Sequence, residues 1–122
     1  MKKRLLLVDD SATMLMSLKN ALELAGFAVD TAPDGEAAMA KLKAGPKPDL
    51  MITDINMPKM DGLQLIQAAR QIMRFTPILA LTTESQQARR DEAKKLGATG
   101  WLVKPVASAD LVKVIRQVVP GA

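Results

Sequence analysis

Four short, largely apolar runs, each stopping at polar residues suited to phosphate chemistry, constrain this chain more than any other feature. Leu5–Val8 runs into Asp9 and Asp10, Leu50–Thr53 into Asp54, Ile78–Leu81 into Thr82 and Thr83, and Trp101–Val103 into Lys104 and Pro105. Runs of this length without regular polar alternation are the pattern of strands buried on both faces of a parallel sheet. The segments between them carry helical spacing, and an alternating strand–helix order folds into a sheet covered by helices on both sides. In such a sheet ligands bind beyond the carboxyl ends of the strands. Carboxylates, a hydroxyl and an ammonium, scattered over nearly the whole chain, are therefore expected to meet in one shallow cleft.

The spacing predicts helices over Ser11–Ala25, Glu36–Lys43, Leu63–Met73, Ser85–Leu96 and Ala107–Val119. Gly26 and Gly97 close the first and fourth, Gly45-Pro46-Lys47-Pro48 breaks the second, and Ser108 or Asp110 is expected to cap the last. Phe27–Ala32 alternates loosely and supplies one more short strand, second in chain order. Five strand–helix units follow, with no internal repeat and no linker, so residues 1–122 read as one domain. Of the open arrangements available to five parallel strands, the flavodoxin-like order 2-1-3-4-5 is the more economical. It puts the switch point between the first and third strands, at Asp9, Asp10 and Asp54.

Composition excludes several chemistries. With no cysteine and no histidine there is no disulfide framework, and neither a zinc site nor a histidine-based triad is expected. Any metal would be a hard one held by oxygen, such as Mg²⁺ or Mn²⁺. No apolar run approaches the roughly 20 residues of a membrane-spanning helix. Met1-Lys2-Lys3-Arg4 before Leu5–Val8 is not read as a signal peptide, because the apolar run is short and ends in two aspartates. No membrane insertion is expected. The net charge of +4 lies largely in Met1–Arg4 and in Arg89–Lys95, where acids interleave. Phe27, Phe75 and Trp101 are the only aromatic residues, so solvated helix faces are expected and no nucleic-acid surface.

Three carboxylates brought together repel. At an effective dielectric near 20, two charges about 4 Å apart cost about 4 kcal/mol, against a net stability of about 5–15 kcal/mol for a small domain. A divalent cation offsets that cost: Mg²⁺ held by carboxylates, a carbonyl and water keeps positions for phosphate oxygens. So screened, a phosphoryl group can be attacked at phosphorus by an aspartate. Lys104 would neutralise its far side, and the Thr82 hydroxyl with nearby backbone N–H groups would bind its oxygens. Each piece alone is ordinary, since an acidic pair is commonly a turn or cap and Lys-Pro commonly a loop. Their joint order at successive strand ends carries the functional reading.

In the segments Leu-Leu-Leu-Val-Asp-Asp-Ser (5–11), Asp54-Ile-Asn-Met-Pro-Lys-Met-Asp-Gly62, Leu81-Thr-Thr-Glu84 and Gly97-Ala-Thr-Gly-Trp-Leu-Val-Lys-Pro105, the chain resembles the receiver domains of two-component response regulators. The resemblance covers the whole chain and is nearest to the stand-alone chemotaxis regulators. It implies that Asp54 accepts a phosphoryl group and that Asp9, Asp10, Asp54 and the Asn56 backbone carbonyl hold Mg²⁺. It also implies that Thr82 is the switch hydroxyl, that Lys104 senses the phosphate, and that Lys104–Pro105 is a cis bond. The implied donor is a histidine kinase or a histidine phosphotransfer protein, and the implied output target is the flagellar motor switch. The implied molecule is a cytoplasmic monomer, not an enzyme beyond its own phosphorylation and dephosphorylation.

Trp101 stands where such domains often carry Tyr or Phe as a rotating switch residue. Strand alternation turns it to the face opposite Lys104. The implied coupling runs through Thr82, whose movement toward the phosphoryl oxygens would let the indole swing inward. Val106 replaces the Phe that commonly follows Lys-Pro, leaving a smaller apolar contact. The first helix leaves two arrangements open. Met14, Leu18, Ala21 and Ala25 can cover the sheet alone, leaving Leu15 and Leu22 beside Met16 as an apolar pair for docking the phosphodonor. Alternatively, all of them form one wide buried stripe. Two other functions use similar parts. A phosphatase of the haloacid dehalogenase type expects Asp-x-Asp at the first strand, whereas here the candidate nucleophile follows the third as Asp54-Ile-Asn56, and no cap domain fits the length. A phosphate sink or relay without an output target needs the same site and stays open.

Overall fold

The apolar runs form the strands in a computed structural model that describes residues 2–122. In chain order the elements are β1 (Arg4–Val8), α1 (Ala12–Leu24), β2 (Ala28–Ala32), α2 (Gly35–Ala44), β3 (Leu50–Thr53), α3 (Gly62–Ile72), β4 (Ile78–Thr82), α4 (Gln87–Leu96), β5 (Gly100–Val103) and α5 (Ser108–Val118). All strand pairs are parallel, in the order β2-β1-β3-β4-β5. This is the flavodoxin-like arrangement that the chain order favours.

The unbroken apolar runs belong to the central strands because those strands face a core on each side. Leu6, Val8, Met51, Ile78 and Ala80 point to the layer containing Leu42 of α2 and Ile66 of α3. Leu5, Leu7, Leu50, Ile52, Leu79 and Leu81 alternate to the other side, against α1 and α5. Edge strand β2 is only partly buried, which is why its sequence alternates.

α1 resolves its two readings in favour of the wide stripe. Leu15 and Leu22 are core residues, at 8% and 0% exposure, and pack with Leu111 and Ile115 of α5. The expectation of an exposed Leu15–Leu22 pair is therefore corrected. Met14, Leu18, Ala21 and Ala25 are the half-buried flank of the stripe, because α1 sits in the groove between the sheet and α5 and is covered from two directions. Met16 is exposed, and so is Leu24, at 90%.

Ser11, Asp34 and Asp61 cap α1, α2 and α3 through side-chain oxygens that accept from Met14, Ala37 and Gln64 N–H. At α3 the Gln64 side chain returns the bond to Asp61 N–H, completing a capping box. The expected cap of α5 by Ser108 or Asp110 is not found. The chain enters that helix at Ala107, which has no side-chain oxygen, so Ser108 is already helical and Asp110 lies in the first turn. There its charge still meets the positive end of the helix dipole. α4 begins at Gln87, later than the spacing suggests and without a side-chain cap.

Arg70 carries no expectation from the sequence, yet it fastens two helix ends. Its Nε and Nη2 donate to the Gly97 carbonyl at 2.9 and 2.7 Å, and its Nη1 donates to the carbonyls of Met73 and Thr76. The C-termini of α3 and α4 are thereby joined. Among the described residues no helix is long and apolar enough to cross a membrane.

The burial of α1 sets an expected contrast. Leu22→Ala should lower the unfolding free energy by about 2–4 kcal/mol, the range for a leucine lost from a packed core. Leu24→Ala, on the same helix but exposed, should change it by less than about 0.5 kcal/mol. Urea denaturation followed by circular dichroism checks both, and similar effects at the two positions would contradict the packing described.

Candidate functional site: three carboxylates and one ammonium

The sheet order brings the site together. Val8 and Thr53 are register partners at the ends of β1 and β3, and Asp54 N–H donates to the Val8 carbonyl at 2.9 Å. Asp9 N–H donates to the Ala32 carbonyl on the other side at 3.2 Å. Asp9 and Asp54 thus stand one residue beyond adjoining strand ends, still held by the ladder. Asp9, Asp10 and Asp54 each offer a carboxylate oxygen within 4.8 Å of the others. Asp9 and Asp54 are nearly buried, at 5% and 9% exposure, while Asp10 is open to solvent.

Lys104 arrives from the far edge. Its N–H donates to the Thr82 carbonyl at 2.8 Å, carrying the β4–β5 ladder one residue past β5. Its Nζ then reaches over β4 to lie 2.8 Å from Asp9 Oδ2 and 3.4 Å from Asp54 Oδ2. Burial acts to lower the lysine pKa, but the hydrogen bond and charge of Asp9, with the charge of Asp54, outweigh it and raise the group above its ordinary value. Lys104–Pro105 is cis, in line with the expectation. Two backbone N–H groups hold the other carboxylate oxygens. Ser11 N–H donates to Asp9 Oδ1 at 2.9 Å, and Ile55 N–H donates to Asp54 Oδ1 at 2.6 Å.

The donor set fits a hard divalent cation. Three carboxylates against one ammonium leave a formal excess of two negative charges, all the donors are oxygen, and Asp10 is open to solvent. Asn56 lies two residues past Asp54 at the same edge, exposed, with its Nδ2 3.5 Å from Glu84 Oε2.

Thr82 is fully buried at the end of β4, and its Oγ1 accepts from Glu84 N–H at 3.2 Å. Trp101 pairs with Ala80 in the sheet and packs in the same layer as Ala80, α2 and α3. The sequence reading has the indole swing inward on phosphorylation. Here it is already half-buried, and its Nε1 donates to the Glu84 carbonyl at 3.0 Å. From that position the donor at the ring's edge reaches the β4–α4 loop. Val106 is half-buried against the α1–α5 layer.

Two residues of the site were missed in the sequence. Glu84 joins Thr82, Trp101 and Asn56 through its N–H, carbonyl and carboxylate in turn, although only its place beside Thr82-Thr83 marked it. Gly62 enters the sequence reading only as the end of the segment that follows Asp54. A Cβ there would lie 2.1 Å from the Asp54 carbonyl oxygen and 2.7 Å from Ile55 Cα, so only glycine lets α3 start against the strand end that carries Asp54. Gly62 N–H also donates to the Ile55 carbonyl at 2.8 Å. A glycine directly after an Asp cap was the available signal.

A family model described as the response regulator receiver domain matches residues 5–116. Among curated proteins, the chain is 37% identical over 113 residues to the transcriptional regulatory protein PrrA of Mycobacterium tuberculosis, covering 93% of this chain and 48% of that protein. It is 42% identical over 105 residues to the chemotaxis protein CheY1 of Helicobacter pylori, covering 84% of this chain and 85% of that protein. The chain thus spans about half the length of PrrA and of the Bacillus subtilis regulator PhoP. Among solved structures, chemotaxis protein CheY4 of Vibrio cholerae superposes with a TM-score of 0.92 at 40% identity, over 98% of this chain and 100% of that one.

Charge crowding predicts two outcomes. Asp10 has no ammonium partner, so Asp10→Asn should raise the melting temperature in EDTA by roughly 2–4 °C, and Mg²⁺ should stabilise the wild type more than this variant. A variant that melts below the wild type in EDTA would contradict the repulsion argument. Lys104→Met leaves Asp9 and Asp54 facing each other and should cost about 3 kcal/mol in EDTA at neutral pH, the low end for breaking a buried ion pair. Because the folded lysine pKa is raised, that stabilisation is fully present below the ordinary value of 10.5 and is lost as pH rises through the folded value. Urea unfolding of both proteins from pH 7 to 11 checks the sign. A gap that closed below pH 9 would contradict it.

Proposed function

The chain belongs to the response regulator receiver family, and we propose that it is a phosphorylation switch of chemotaxis type whose phosphoacceptor is Asp54. The observation that carries this reading is the convergence of the nearly buried Asp54 carboxylate with Asp9, Asp10 and the Lys104 ammonium beyond the ends of three different strands. The donor is a histidine kinase or a histidine phosphotransfer protein. Asp54 Oδ2, which accepts no backbone N–H as Oδ1 does, attacks phosphorus; the new O–P bond forms as the P–N bond to imidazole breaks. Lys104, already beside this oxygen, is placed to neutralise the added phosphoryl charge. A Mg²⁺ ion bound by Asp9, Asp10, Asp54 and the Asn56 carbonyl would supply screening of the phosphoryl oxygens. Hydrolysis returns the carboxylate and releases inorganic phosphate, and no external metabolite is turned over.

The switch runs through Glu84. Thr82 Oγ1 turns to a phosphoryl oxygen and gives up the Glu84 N–H, while the Glu84 carbonyl is the acceptor that holds Trp101. Phosphate thus favours one loop arrangement only through the contacts it gains there. Similarity to CheY1 and CheY4 supports the flagellar motor switch as the target and a single-domain cytoplasmic monomer as the working form. Similarity to PrrA and PhoP supports a second reading, in which this segment regulates transcription with the rest of a longer protein.

Acetyl phosphate with Mg²⁺ should label the wild type at an acid- and base-labile acyl phosphate, and Asp54→Ala should not be labelled. Labelling that survives Asp54→Ala removes the assignment. Beryllofluoride should shift the emission of Trp101, the one tryptophan, by altering its hydrogen bond, with little change in acrylamide quenching. Thr82→Ala should blunt the shift and keep the labelling. Titration with the motor switch protein of the same organism separates the outputs: binding only in the beryllofluoride state supports the chemotaxis reading, and none in either state overturns it.

A further inference from the structure

β2 is an edge strand, paired with β1 alone. Its register sets Ala28 opposite Arg4. Ala28 N–H donates to the Lys3 carbonyl at 2.9 Å, and the Ala32 carbonyl accepts from Asp9 N–H at 3.2 Å. Ala28, Asp30 and Ala32 therefore turn their peptide groups toward β1, and Val29 and Thr31 turn theirs outward. Outward groups on an edge are a template for another strand.

One of the two outward units is already taken by local side chains. Thr31 N–H donates to Asp30 Oδ1 at 2.9 Å. Lys41, reaching down from α2, donates to the Thr31 carbonyl and, at 2.6 Å, to the same Asp30 oxygen. Beside the strand lies a cavity of about 460 Å³ whose lining mixes the apolar Val29, Leu42 and Pro46 with the charged Arg4, Asp30 and Lys41.

The strand's own sequence indicates what fits that edge. Ala28-Val29-Asp30-Thr31-Ala32 reads almost the same in both directions, since Val and Thr have like shapes. A two-fold axis through Asp30 would set Val29 of one copy opposite Thr31 of another, and Ala28 opposite Ala32. The outward peptide groups of both copies would then complete an antiparallel ladder. The same axis sets Asp30 against its own counterpart, about 4.5 Å apart between Cα atoms, where like charges oppose pairing. Asp30 therefore closes the edge twice, by occupying Thr31 N–H and by its charge.

We propose that the open edge of β2 is a latent self-association site for a second copy of this chain, held closed by Asp30 and Lys41. The contact is isologous, so it closes at a dimer and does not propagate. It does not depend on the phosphorylation chemistry at Asp54.

Sedimentation equilibrium of the wild type, of Asp30→Ala/Lys41→Ala, and of Lys43→Ala as a control on an exposed lysine of α2 tests the proposal. The wild type and the control should sediment as monomers. The double variant should form a dimer, with up to about fivefold of the gain in affinity coming from release of the surface ion pair, and with amide exchange slowed at Val29 and Thr31. Adding Thr31→Pro removes the outward N–H and should restore the monomer. Where the double variant loses its circular dichroism spectrum, Asp30→Asn, which removes only the charge, replaces it and should self-associate. A folded variant that stays monomeric, a dimer whose β2 amides exchange as fast as in the wild type, or a wild type already paired through β2 overturns the proposal.

Discussion

The ammonium of Lys104 holds the functional edge of this molecule together. Asp9 and Asp54 are almost withdrawn from water, and two carboxylates in that setting oppose folding unless something positive lies between them. Lys104 supplies that charge from the opposite side of β4, so the β1, β3 and β5 ends are linked by one side chain. The compensation is partial, because Asp10 stays in the cluster without an ammonium partner. A site balanced in this way keeps a demand for positive charge and an opening through which to receive it. The features that make it costly to fold are the ones that suit it to phosphoryl chemistry.

The scaffold tolerates this cost because the central strands are packed from both sides. β1, β3 and β4 contribute alternate residues to two cores, and the buried leucines, isoleucines and Met51 there fix the strand ends against one another. Gly62 extends this precision to the loop after β3, since α3 starts in contact with the Asp54 carbonyl and any side chain at that point would push the two apart. Asp54 is thus set by backbone contacts on both flanks, through Val8 before it and Gly62 after it. Position is determined by packing, and charge by the three partners that packing delivers.

What could be read from the sequence follows from what each signal encodes. Leu5–Val8, Leu50–Thr53 and Ile78–Leu81 were legible as strands because burial on two faces forces an unbroken apolar run, and the polar residue ending each run named the site. The order 2-1-3-4-5 followed from alternation and economy of connection. The width of the buried stripe on α1 was not legible. Helical spacing gives the direction of an apolar face but not how many neighbours cover it, and α5 covers Leu15 and Leu22 as well as the sheet. The missing cap at α5 has a similar cause, since a register shift of one residue moves Ser108 from cap to first turn. Arg70 and Gly62 escaped notice because their contacts are with backbone atoms, which have no sequence of their own: Arg70 finds the Gly97 carbonyl 27 positions away. Glu84 escaped because two of its three contacts run through its own N–H and carbonyl, which any residue carries.

The division of the sheet into centre and edges also divides its tasks. At the centre, chemistry needs groups that do not move, and the paired strand ends supply them. At the β5 edge, Trp101 is held by a single hydrogen bond to the Glu84 carbonyl, while the Glu84 N–H is held by Thr82 from the other side. The two bonds lie on opposite ends of one residue in the loop ahead of α4, a helix without a side-chain cap. Thr82 and the indole are therefore joined through one residue of this loop, outside the packed core. At the β2 edge the peptide groups of Thr31 point outward, and there a carboxylate and a lysine occupy them. One kind of interaction, charge placed against backbone and against opposite charge, thus serves two places: it holds the cluster together at the centre, and it occupies the Thr31 peptide groups at the β2 edge.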